Sequence, residues 1–235
     1  MIAYVHRGAE HKGAAGETLI QAALADYMGA EWENWLKEAA GRKGASGRVP
    51  DGLIRRTPHG KPYIEDFPLY FSISHSGELW VCLVAEVEVG VDIQVPKPLP
   101  YEKLAKRFFT ETEAAYIRQG GLEAFFQVWT RKEAYVKYTG LGFSGMGFSS
   151  FSVVEARKRS FLDGAEAGGT GTGEDQLELV LASQVAGILM QPLVLELGQE
   201  LEAVGPGLGP GLLPGEQVFG AVCGKQKQTV VVRWL

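Results

Sequence analysis

Two carboxylates stand where the hydrophobic pattern calls for apolar side chains. In Gly90-Val91-Asp92-Ile93-Gln94 the alternation of a strand puts Asp92 and Gln94 on one face and Val91 and Ile93 on the other. Downstream, Leu122, Phe125, Phe126, Trp129 and Val136 fall on one stripe at about 100° per residue, the spacing of a helix. Glu133 falls near the middle of that stripe. Burying a charge without a partner is costly, so each acid needs something to pair with. Lys137, one helical turn beyond Glu133, is one such partner. The ordinary alternatives are a strand end open to water for Asp92 and a helical ion pair at the edge of the core for Glu133.

Two further segments offer groups for an anion. Phe71-Ser72-Ile73-Ser74-His75-Ser76-Gly77 alternates apolar and polar residues and ends in a turn. Ser74, His75 and Ser76 bring hydroxyls and an imidazole to the tip of that strand. The Gly-x-Ser-x-Gly spacing of a nucleophile elbow is absent, and a solvated or structural histidine is the plainer reading of His75 alone. Gly60-Lys61-Pro62-Tyr63 presents one lysine from a stiff turn. Gly90, ahead of Asp92, allows another group to approach the strand backbone closely.

These segments must be positioned by an α+β fold. A strand is predicted at 2–5, a helix over Glu17–Met28 ended by Gly29, and a short helix at 31–39. Residues 41–60 read as loop. Strands follow near 69–74, 80–87 and 89–94. Pro96, Pro98 and Pro100 mark a boundary, giving an N-terminal half over 1–95 and a C-terminal half over 96–235. Helices are expected at 101–108, 110–118 and 122–139. Thr110 and Glu113 have capping-box spacing. Strands are expected near 148–155, 177–182, 190–197, 217–223 and 228–234, interrupted by glycine-rich stretches at 164–173 and 205–215. Each half runs helix first and then strands, which suggests an internal duplication.

Composition narrows the class. A net charge of −5 argues against a general nucleic-acid binder, which carries a basic footprint. Cys82 and Cys223 are the only cysteines. They lie far apart in apolar runs, so they read as buried free thiols and not as a disulfide framework or zinc site. Nothing near Met1 resembles a signal peptide and no apolar run is long enough to span a bilayer. A cytoplasmic protein without a membrane partner is expected.

Taken together and in order, the segments resemble the Sfp-type 4′-phosphopantetheinyl transferase family. The motifs are Gly-Lys-Pro at 60–62, Phe-x-Ile-Ser-His-Ser at 71–76 with Trp80, and Gly-Val-Asp-Ile at 90–93. Arg-Phe-Phe-x-x-x-Glu follows at 107–113 and Trp-x-x-Lys-Glu-Ala-x-x-Lys at 129–137. The resemblance covers residues 11–155 well and the C-terminal third loosely. It implies two similar α+β halves related by a pseudo-two-fold axis. It implies a holo-[acyl-carrier-protein] synthase activity, in which Mg²⁺ and coenzyme A serve transfer of phosphopantetheine to a serine of an acyl or peptidyl carrier protein. Asp92 and Glu133 would hold the metal. Gln94, where many relatives have an acid, would offer its amide oxygen or hold a metal-bound water. Lys61, Ser74, His75 and Lys137 would meet the coenzyme A phosphates, with Lys12 at the 3′-phosphate. Arg42, Lys43 and Arg48 are looser candidates for the same anion. Asp92, Glu133 and Lys137 would carry the catalysis, with Glu133 the candidate base and a metal-bound water its rival. A monomer is expected. The alternative is a non-catalytic protein of the same scaffold that binds coenzyme A or a carrier.

Overall fold

The computed structural model describes residues 1–43, 52–158, 177–195 and 217–235. Strand β1 (Ile2–Arg7) is followed by helices α1 (Gly13–Met28) and α2 (Ala30–Lys43). Next come β2 (Arg55–Arg56) and β3 (Pro62–Tyr63), which form a short ribbon, then β4 (Tyr70–Ser76), β5 (Leu79–Ala85) and β6 (Val89–Gln94). Helices α3 (Tyr101–Phe108), α4 (Glu111–Thr139) and α5 (Gly142–Gly145) lead to β7 (Val154–Lys158), β8 (Leu177–Leu181), β9 (Gln184–Val185), β10 (Ile188–Pro192), β11 (Phe219–Gly224) and β12 (Val231–Trp234). The fold class is α+β, as the pattern of elements predicts. None of the described helices is long and apolar enough to cross a membrane.

Two four-stranded sheets carry the fold, in the orders β12-β1-β5-β4 and β6-β11-β10-β9. The last strand, β12, runs parallel to β1, so the end of the chain returns to the first sheet. Strand β6 pairs with β11, so it lies among strands from the later part of the chain. Alternation along the strands sorts side chains into three cores. Tyr4, Trp80, Cys82 and Val84 face α1 and α2, where Ile20, Leu24 and Trp32 are buried. Val5, Val81 and Leu83 face the other way and share a core with Val91, Ile93 and Val222. The opposite face of the second sheet packs Ala221 and Cys223 against Phe125, Val128 and Val136 of α4. Every residue of β5 is buried, which is why that strand reads as an unbroken apolar run. Both cysteines are free and buried.

The sheets meet at their edge strands through side chains. Ser72, Ser74 and Ser76 of β4 accept the backbone N–H groups of Val91 (3.1 Å), Ile93 (3.3 Å) and Val95 (2.9 Å). Three hydroxyls at a period of two thus provide the acceptors that a neighbouring strand would otherwise supply as carbonyls. This explains the polar half of the Ser-Ile-Ser-His-Ser alternation.

Several elements differ from their predicted form. The helices expected at 110–118 and 122–139 are one helix, α4, kinked at Gly121 (φ 66°, ψ −148°). Positive φ is tolerated by glycine because it lacks a Cβ. The capping box at Thr110 and Glu113 is present. Helix α2 is longer than the predicted 31–39. The strand expected at 148–155 opens instead with a 3₁₀ turn at Phe148–Ser150, and β7 begins only at Val154. The reason is Lys132, whose ammonium takes the carbonyls of Phe148 and Phe151 at 2.6 Å each and turns them away from any strand partner. The glycine-rich stretches 164–173 and 205–215 lie outside the described residues.

Candidate active site

Close packing of α4 on β6 builds the site, and Gly90 permits it. A Cβ at Gly90 would stand 2.1 Å from the Ala134 carbonyl oxygen and 2.5 Å from the Tyr138 nitrogen. Any other residue would push the helix away. Two residues along β6, Asp92 is 2 % exposed. Its Oδ1 accepts hydrogen bonds from Ser74 Oγ and Lys137 Nζ, both at 2.7 Å. Its Oδ2 accepts from Gln94 Nε2 at 3.1 Å. Ser74 Oγ in turn accepts from Lys137 Nζ at 2.9 Å. Asp92 is therefore a buried carboxylate with two donors on Oδ1 and one acceptor position of Oδ2 left open, and Lys137 is its counter-charge.

Glu133 has no such support. None of the described residues donates a hydrogen bond to its carboxylate. Burial pushes its pKa up to about 8; the negative charge of Asp92 adds to the rise, and Lys137 opposes it. One lysine thus serves two carboxylates, and Glu133 is the one left short. The sequence reading placed Glu133 in the middle of a buried stripe. Its side chain is instead half-buried, and the charged residues that α4 buries completely are Glu113 and the preceding Lys132. Lys132 pairs with Glu113 at 2.8 Å, both side chains being fully buried. Glu113 also accepts from the backbone nitrogens of Val153 (2.8 Å) and Thr110 (2.9 Å). That pair is satisfied on all sides, and it ties the 148–153 segment to α4.

Glu133 and Lys137 open on a cleft of about 250 Å³ whose wall includes Arg56, His59, Lys61 and Ser72. Lys61 is engaged: its ammonium forms an ion pair with Glu88 and donates to the Tyr138 carbonyl at 3.1 Å. Gln94 points its amide N–H groups at Asp92, so it acts here as a donor. On the other side, the ring of His75 lies 4.8 Å from that of His11. Loss of surrounding water lowers the His75 pKa, the positive charges of His11, Lys12 and Lys137 lower it further, and Asp92 opposes them. Lys12 is exposed at the start of α1. The structure therefore brings Asp92, Gln94, Ser74, Glu133 and Lys137 into one cluster, with Lys61 across the cleft and His75 and Lys12 at a basic rim. Sequence reasoning missed Arg56, in the two-residue strand β2, His59, in the turn after it, and His11, just before α1; none has a periodic pattern to mark it. The side chains of Arg42 and Lys43, and all of Arg48, lie outside the described residues.

No group of three or more His, Cys, Asp or Glu side chains among the described residues is arranged to hold a metal ion. Two carboxylates and one amide nonetheless suit a hard divalent cation that takes few protein ligands and completes its shell with water and phosphate oxygens. The deficit of positive charge at Glu133 is what such a cation would relieve.

Comparison with known proteins agrees with this geometry. Residues 88–169 match the family model described as the 4′-phosphopantetheinyl transferase superfamily. That stretch contains β6 and all of α4, the two elements that carry Asp92, Glu133 and Lys137. The chain is 37 % identical over 94 residues to the 4′-phosphopantetheinyl transferase gsp of Aneurinibacillus migulanus, covering 38 % of this chain and 39 % of that protein. It is 32 % identical over 156 residues to a 4′-phosphopantetheinyl transferase of Bacillus subtilis, covering 64 % and 61 %. Against the 4′-phosphopantetheinyl transferase Sfp of Bacillus subtilis (strain 168) it is 38 % identical over 100 residues, covering 40 % and 44 %. These alignments span 39 % to 61 % of the length of the relatives. These matches agree with the family recognised from the motifs: over residues 88–169 the chain is similar to the 4′-phosphopantetheinyl transferase superfamily.

Proposed function

We propose that this protein transfers the 4′-phosphopantetheine group of coenzyme A to a serine hydroxyl of an acyl or peptidyl carrier protein, as a holo-[acyl-carrier-protein] synthase. The observation that carries this reading is Glu133: a carboxylate without a hydrogen-bond donor, beside a second carboxylate, at the wall of a cleft lined by lysine and arginine. Asp92 and Glu133, with Gln94 beside them, would hold Mg²⁺. When bound, the ion supplies charge stabilisation to the pyrophosphate.

The remaining work falls to the chain's own groups. Lys61 exchanges Glu88 for a phosphate oxygen of coenzyme A. Ser74, His75 and Lys12 hold the other phosphates, and Lys137 neutralises charge at the pyrophosphate. The carrier serine oxygen forms a bond to the β-phosphorus, and the bond from that phosphorus to the bridging oxygen breaks. Adenosine 3′,5′-bisphosphate leaves with that oxygen. The serine proton goes to the Glu133 carboxylate, through a water where the carboxylate is engaged as a ligand. Such displacements depend chiefly on positioning and charge stabilisation. The proposal extends to a cytoplasmic monomer whose halves, 1–95 and 96–235, are related by a pseudo-two-fold axis.

The test is a panel of fatty-acid, polyketide and peptide-synthetase carriers incubated with the protein, coenzyme A and Mg²⁺ and read by intact mass. A gain of one phosphopantetheine on at least one carrier, lost in Asp92→Ala, is the expected result. No gain on any carrier, with saturable coenzyme A binding retained, would instead identify a binding protein on this scaffold.

A further inference from the structure

A second cavity, of about 360 Å³, lies against a different stretch of α4 and holds a cation without a counter-ion. Its wall is formed by Gln127, Thr130 and Arg131 of α4 together with Leu193, Val218 and Phe219. Its volume falls within the range of about 300–1,000 Å³ typical of small-molecule sites. Val194, also in the wall, is 61 % exposed, so the cavity reaches solvent.

The polar side chains that α4 brings to this wall are taken, except that of Arg131. Thr130 Oγ1 donates to the carbonyls of Phe126 and Gln127. The Gln127 amide donates to Glu123 and accepts from Tyr116. Arg131 makes a single hydrogen bond, from its NH1 to the Gln127 carbonyl at 3.1 Å. Its Nε is buried with no partner, and no described carboxylate forms an ion pair with it. A guanidinium in this state is unusual, since buried polar groups are nearly always bonded and buried charges paired. Apart from the exposed Gln217, the side chains of the rest of the wall are apolar, chiefly Leu193, Val218 and Phe219.

We propose that this cavity is a binding site for a small organic monocarboxylate with an apolar body, its carboxylate paired with Arg131. One guanidinium matches one carboxylate in charge and in planar donor geometry. A single cation in an apolar wall suits a phosphate poorly, because that group brings more charge and more acceptors than the wall can meet. The site stands apart from the Asp92–Glu133 cleft and does not depend on the transfer reaction.

Octanoate is the probe, with octanol as the apolar body without charge and inorganic phosphate as the charge without apolar body. Calorimetric titration of the full chain should show saturable octanoate binding, with octanol and phosphate each at least tenfold weaker. Arg131→Met keeps the apolar stem and removes the charge, and should weaken octanoate at least tenfold at an unchanged melting temperature. Backbone amide shifts on the wild-type protein should centre on Leu193, Val218 and Phe219, which decides the matter even if Arg131→Met fails to fold. Absent octanoate binding, equal binding by Arg131→Met, phosphate binding as tight as octanoate, or shifts centred on the Glu133 cleft would each overturn the proposal.

Discussion

Replacing Glu133 by glutamine should make the metal-free protein more stable and the ligand-bound protein less so. The Glu133 carboxyl is held near pKa 8, above its ordinary value of 4.5. Between those values the folded state binds more protons than the unfolded chain, so this group's contribution to stability falls as pH rises from about 4.5 to about 8. Each pH unit of that interval is worth about 1.4 kcal/mol, which sets an upper bound near 5 kcal/mol. The side chain opens on a solvent-filled cleft, and screening reduces the expected cost to about 2 kcal/mol. Glutamine mimics the protonated form and removes this cost. In a domain of this size 1 kcal/mol moves the melting temperature by about 2–4 °C.

In EDTA, Glu133→Gln should therefore melt about 4–8 °C above wild type at pH 8.5 and within a degree or so of it at pH 4.5. Adding Mg²⁺ and coenzyme A should reverse the order. A ligand at 100 times its Kd stabilises the wild type by about 2.7 kcal/mol, and the variant should gain much less. The assay is differential scanning calorimetry across pH, with and without ligands. A variant that melts at or below wild type in EDTA at pH 8.5 would refute the claim that Glu133 is held without a partner. Equal ligand stabilisation of both proteins would refute its role in holding the cation.

Other perturbations separate the site from its scaffold. Gly90→Ala should cost about 3 kcal/mol or more, because its Cβ meets helix backbone and not a movable side chain; chemical denaturation measures it. Lys132→Met should cost about 3–5 kcal/mol by leaving Glu113 buried without its cation, and adding Glu113→Leu should recover much of that loss in the same denaturation series. His75→Ala should raise the KM for coenzyme A about tenfold with kcat within threefold of wild type, since the ring lies at the rim of the cluster; steady-state kinetics decides. Ser74→Ala should lower kcat/KM at least tenfold, because Asp92 Oδ1 then keeps only Lys137.

Much of this was legible in the sequence, for identifiable physical reasons. The strand alternation at 89–94 placed Asp92 and Gln94 opposite Val91 and Ile93, and the contacts follow it: Val91 and Ile93 enter one core, while Asp92 meets Ser74, Gln94 and Lys137. The capping box announced the start of α4, because the box is a local structure made by residues three apart. What could not be read are contacts between distant segments. Nothing near residue 148 indicates that Lys132 will take two carbonyls there. Nothing near Lys61 names Glu88 as its partner, 27 residues away. The stripe on α4 was drawn from apolar residues alone, so it could not tell which of two adjacent charged residues, Lys132 or Glu133, the helix turns inward.

That last ambiguity separates structural charge from functional charge on one helix. Glu113 and Glu133 lie on the same helix, the first read from the sequence as a capping residue and the second as a carboxylate on the apolar stripe. Glu113 is the more deeply buried, yet it has a lysine at 2.8 Å and two backbone N–H donors; its energetics are closed within the fold. Glu133 is less buried but shares its one lysine with Asp92, and the deficit appears as a raised pKa. A protein under selection for stability alone would gain by replacing Glu133 with a neutral residue, whereas replacing Glu113 would lose stability. The carboxylate that the fold leaves incomplete is therefore the one proposed to meet a ligand, and burial by itself would have pointed to Glu113 instead.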